Sequence, residues 1–113
     1  MNLLTADSVI VWRKYEGVDK YGNPISVWDP VLGKTTYTGV SVQPDYSEEA
    51  TGDRASRVTG LRLITGRGRD IDLLATDRVI FNGVTYNVDG EVGRYRMGGR
   101  VHHVEARLIL FAG

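Results

Sequence analysis

Few residues in this chain have types and spacings that suggest chemistry. His102 and His103 are adjacent and are the only histidines in 113 residues. Neighbours on a strand point to opposite faces, so the pair is not expected to chelate one ion. Gly66-Arg67-Gly68-Arg69 has the look of a phosphate cradle. It lacks both P-loop and dinucleotide spacing, and it contains no Lys followed by Ser or Thr, so a turn is expected. Arg94, Arg96 and Arg100 are interleaved with Tyr95, a pattern that suits contact with a partner or with DNA, although Asp89 and Glu91 lie beside it. The carboxylates are scattered, with no pair placed for acid–base work. No nucleophile elbow or HExxH motif occurs. There is no cysteine, hence no thiol nucleophile, thiolate site or disulfide. The expectation is a non-enzymatic chain with no catalytic residues, metal or cofactor.

Bulk properties point the same way. Fourteen Lys and Arg balance fourteen Asp and Glu. That neutrality counts against a general nucleic-acid binder and suits a chain that assembles. No apolar run approaches the ~20 residues that span a bilayer, and Met1–Ser8 lacks the pattern of a signal peptide. The expectation is a single soluble domain over 1–113, made in the cytoplasm, with no membrane contact.

The elements that would position these residues are strands. The clearest signal is Asp77–Val88, where Asn82-Gly83 separates two β-rich runs, as in a type I′ hairpin. Val79, Phe81, Val84, Tyr86 and Val88 then share an apolar face. Further strands are expected over Ser8–Tyr15, Ile25–Trp28, Thr35–Gln43, Val58–Thr65 and Arg100–Phe111. In Thr35–Gln43 the alternation places Thr38, Val40 and Val42 on one face. In the last strand it groups Val104, Ala106, Leu108 and Leu110. Tyr21-Gly22-Asn23-Pro24 has turn chemistry. Pro44 should end its pairing or sit on an edge. Residues 45–57 are polar and of both charge signs, and read as a long loop or a hairpin with a mobile tip. A long polar loop in a small domain is commonly functional or disordered. Ile71, with Leu73 or Leu74, should anchor 70–76, and 89–99 reads as a glycine-rich connection with Val92 or Tyr95 packing back.

Taken in order, these pieces resemble the head-closure, or head-to-tail stopper, proteins of long-tailed phages. The resemblance rests on Tyr21–Pro24, the GVSVQP strand Gly39–Pro44, and the acidic stretch that follows it (Ser47, Glu48, Glu49). It continues through Thr59–Ile71, Asp77–Glu91 and Val101–Leu108, covering about Ile10 to Phe111. It implies an all-β fold, a small antiparallel barrel of about six to seven strands with a long polar loop at 45–57. It also implies a homo-oligomeric ring in the neck of the virion, between the portal or adaptor protein and the tail terminator or tail tube. The channel-closing segment falls on Ser47, Glu48, Glu49, Thr51, Gly52, Asp53, Arg54 and Arg57, with packaged DNA touched transiently. The exposed edges of the first and last strands are the expected subunit contacts. Related tail-completion or head–tail joining proteins look similar. A small nucleic-acid-binding barrel using Arg94, Tyr95, Arg96 and Arg100 is the reading from a different class.

Overall fold

The computed structural model describes residues 6–51 and 54–111, with the side chains of 46–51 and 54–59 left out of the description. All nine elements described are strands: β1 (Asp7–Trp12), β2 (Tyr15–Val18), β3 (Pro24–Val27), β4 (Lys34–Thr51), β5 (Arg54–Thr65), β6 (Arg78–Phe81), β7 (Val84–Val88), β8 (Gly93–Met97) and β9 (Arg100–Leu110). The β6–β7 hairpin forms on its turn chemistry. Asn82 and Gly83 take positive φ, 51° and 76°, and Phe81 faces Val84 while Val79 faces Tyr86.

Six strands run antiparallel in the order β5-β4-β1-β6-β7-β9, and a β5–β9 ladder closes them into a barrel. β8 is an extra strand. Ile64 and Gly93 both pair with Glu105, so β5 and β8 occupy opposite edges of β9, and β8 continues the edge on which β7 ends. β2 and β3 form a separate hairpin. At its tip the Asp19 carboxylate accepts hydrogen bonds from the Tyr21 and Asn23 amides at 2.8 and 2.9 Å. The stretch Ser8–Tyr15 is therefore not one strand. It breaks at Arg13-Lys14, where the Arg13 amide leaves the sheet to bond the Gly33 carbonyl.

The core is the barrel interior: Val9, Val11, Val40, Leu63, Val79, Val88, Val104, Ala106 and Leu108. Ile71 and Leu73, from the extended segment after β5, join them, while Leu74 is exposed. Leu110 is exposed at the end of β9, so the face expected there ends at Leu108.

Two features of β4 differ from simple alternation. Asp7 pairs with Val40 but Ser8 with Thr38, so Gly39 is an extra, bulged residue with φ +71°. The bulge resets the parity. Tyr37, not Thr38, shares the inner face with Val40 and Val42, and the strand bends so that its two halves serve two neighbours. Pairing also continues through Pro44, opposite Leu61. The Val42 amide points to the β1 side, where it bonds the Asp7 carboxylate at 2.9 Å. Two residues on, the Pro44 nitrogen faces the same side, where β1 has ended and no donor is needed.

Candidate functional site

Of the two readings of 45–57, a loop or a hairpin, the structure has the hairpin: residues 45–51 and 54–57 form a two-stranded arm. On β4 the last residue paired with β1 is Val40, and on β5 the pairing with β9 begins at Gly60. Between these limits the two strands pair only with each other, through Tyr46↔Thr59, Ser47↔Val58, Glu48↔Arg57, Glu49↔Ser56, Ala50↔Ala55 and Thr51↔Arg54. At about 3.4 Å per residue this ladder extends roughly 20 Å from the barrel wall. Ser47, Glu48, Glu49, Thr51, Arg54 and Arg57 all lie on it, while Gly52 and Asp53 lie outside the described residues. The usable signal was Gly52-Asp53, a two-residue loop composition between equal polar flanks.

The arm is rooted firmly. Gly60 lies where β9 crosses closest, and a Cβ there would come within 2.5 Å of the Leu108 carbonyl oxygen. Asp45 approaches Arg62 at 3.6 Å and Arg107 at 3.4 Å. Arg62 also meets Glu105, and Arg107 meets Asp89, both at 3.4 Å.

The arginine-bearing connection is β8, a strand, and it does not gather its residues into one surface. Arg94 is half-buried. Its guanidinium donates to the carbonyls of Ile71 and Leu73 at 3.2 and 2.7 Å and lies 3.5 Å from Asp70. It clamps the segment that plugs the barrel. Val92 packs on the core as expected, whereas Tyr95 is exposed and stacks on His103 with centroids 4.7 Å apart. Arg96 and Arg100 are exposed near the Gly98-Gly99 turn. Gly66–Arg69 is a turn, as expected. Its Arg69 amide bonds the Gly66 carbonyl, and its Gly68 amide reaches His102.

The histidines overturn the alternation argument. Tyr95 pairs with His103 and Arg96 with Val101, leaving His102 as an extra residue in β9. That irregularity brings the two rings to one side, with their Nδ1 atoms 2.9 Å apart in a hydrogen bond that needs a proton on one of them. His103 Nε2 lies 3.2 Å from a Glu105 oxygen. Among the described residues no group of three or more His, Cys, Asp or Glu is placed to hold a metal ion.

The first and last strands are not edges. β1 lies between β4 and β6, and β9 has partners on both sides. Among the described residues the free backbone edges belong to the arm, to the outer side of β8 and to the β2–β3 hairpin. No family model matches this sequence, and no curated protein does.

Proposed function

We propose that this chain is a structural neck protein of a long-tailed phage, a ring subunit joining the portal or adaptor to the tail and closing the DNA channel. The observation that carries this reading is the arm. It projects from a closed β-barrel at the residues where the resemblance to head-to-tail stoppers puts the channel-closing segment. A rigid closed barrel suits a ring wall. Among the described residues the arm's backbone pairs with no barrel strand along 46–51 and 54–59, so each of its strands offers a free edge to a neighbouring copy. A ring built this way is heterologous and closed, one surface of each copy meeting a different surface of the next.

The hairpin sharpens the gating idea. Closure by a paired ribbon requires movement of the whole arm at its root and no melting of a loop. Acidic Glu48 and Glu49 on β4 disfavour adhesion to phosphate. The test is deletion of the gene in its phage, with complementation in trans. The expected result is DNA-filled heads that lack tails and leak their genome, rescued by the full chain. Infectious, tailed particles without the gene would overturn the reading. If rescue by a chain lacking 47–56 restores DNA retention, the arm is not the gate.

A further inference from the structure

The outer face around Arg78 carries a second feature. Lys34, Trp12 and Arg78 lie in register across β4, β1 and β6. The Arg78 guanidinium sits 4.0 Å from the ring centroids of both Trp28 and Phe111, and 5.8 Å from that of Trp12. The Lys34 ammonium lies 4.5 Å over Trp12, and that of Lys14 lies 5.9 Å over Trp28. The two tryptophans pack edge to face at 5.6 Å, and the Trp12 indole N–H is fixed by the Asp29 carbonyl.

What is missing is an anion. Arg78 Nε is shut off from solvent with no hydrogen-bond partner, and no carboxylate pairs with Arg78 among the described residues. The nearby acids are committed elsewhere. The Asp29 carboxylate takes the Val31 and Leu32 amides, Asp77 takes Arg13, and Glu16 takes the Ser26 hydroxyl. An enclosed donor left unpaired is costly, and a guanidinium presents a planar fork suited to a carboxylate. Beside it opens a cleft of about 440 Å³ that shares Trp28 and includes Lys14, Ser26 and Thr76, with Arg13 and the already bonded carboxylates of Glu16 and Asp77 also in its lining.

We propose that this face is a docking site for an acidic protein segment, with a carboxylate received by Arg78 and flanked by Lys14 and Lys34. Charge complementarity favours that occupant, because Arg78 and Lys14 pair with no carboxylate among the described residues and Lys34, which feels Asp29 only through space, adds a third cation. Nucleic acid fits less well. The chain's own cations cover ring faces of Trp12, Trp28 and Phe111, leaving no open platform for base stacking. The inference stands independently of the neck assignment.

The chain holds only two tryptophans, and both lie at this site, so their emission reports its occupancy. Titration of the full chain at low salt with an oligoglutamate peptide should give a saturable emission change. Arg78→Met should weaken binding about tenfold, with the fold checked by circular dichroism. Arg78→Lys keeps the charge and loses the fork, so it should fall between. Lys34→Gln should weaken binding roughly twofold and serves if Arg78→Met fails to fold. No saturable response, a response unchanged in the Arg78 and Lys34 variants, or tighter binding of an oligothymidylate of matched charge would each overturn the proposal.

Discussion

Asp77 joins distant parts of the chain. Its carboxylate is buried and accepts from Arg13 Nε and Nη2 at 3.0 and 2.8 Å, and from the Leu74 amide at 2.8 Å. Asp77→Asn should cost about 1–3 kcal/mol in urea unfolding, because it leaves a part-buried guanidinium short of its partner. Arg13 also bonds Asp72 at 2.8 Å, and that hydrogen bond holds the Asp72 carboxyl below its ordinary 3.8. The Asp19 and Asp29 carboxyls are lowered by backbone amides, chiefly those of Asn23 and Leu32. Their folded values lie below the unfolded ones. Their stabilisation is therefore present above the ordinary value and fades as pH falls through 3.8 and on through the lowered folded values. Melts between about pH 6 and about pH 2 should show an acid limb, and Asp72→Asn should make it shallower. An unchanged limb in that variant would remove Asp72 from the account. The partnerships of Arg13 were not legible in the sequence. Arg13 and Asp77 are 64 residues apart, and nothing local links them.

Among the elements, β4 does the most work. One continuous strand serves β1, then β5, then the arm, and the bulge at Gly39 makes the change of direction. Gly39→Ala should destabilise by about 1–2 kcal/mol, since φ is +71° and the new Cβ would lie 3.1 Å from the Arg69 side chain. Beyond Asp45 and Gly60 the arm's two strands pair only with each other among the described residues. A chain lacking 47–56 should therefore melt within a few degrees of the full chain, whereas Leu63→Ala should lose about 2–5 kcal/mol. A large loss of melting temperature on arm removal would mean that the arm packs on the barrel. The β6–β7 hairpin was readable because its turn and its apolar face agree. The β4 face was not, because an added residue inverts period-2 parity, and a glycine between threonine and valine does not announce a bulge.

The whole molecule is a barrel with projections, and its Cα radius of gyration of 16.4 Å exceeds the roughly 13 Å of a compact domain of this length. Its closing seam pairs Arg62 with Arg107 directly, a like-charge juxtaposition relieved by Asp45 between them and by Glu105 and Asp89 alongside. Asp45→Asn should cost about 0.5–1 kcal/mol, less at high salt because the groups are partly exposed. A loss that does not change with salt would point to packing instead of charge.

By itself the sequence determined the all-β class, the I′ hairpin, the turns at 21–24 and 66–69, and most of the core, because these follow from local turn chemistry and alternation. The closure of β5 on β9, the choice of hairpin over loop at 45–57, the meeting of His102 with His103, and the diversion of Arg94 from the surface to the Ile71 and Leu73 carbonyls were decided only by the tertiary structure. The closure and the Arg94 contacts depend on segments far apart in the chain, and the histidine pair on an irregularity in the β8–β9 ladder. A one-residue bulge changes which side chains share a face, and the amino-acid pattern does not encode where that residue falls.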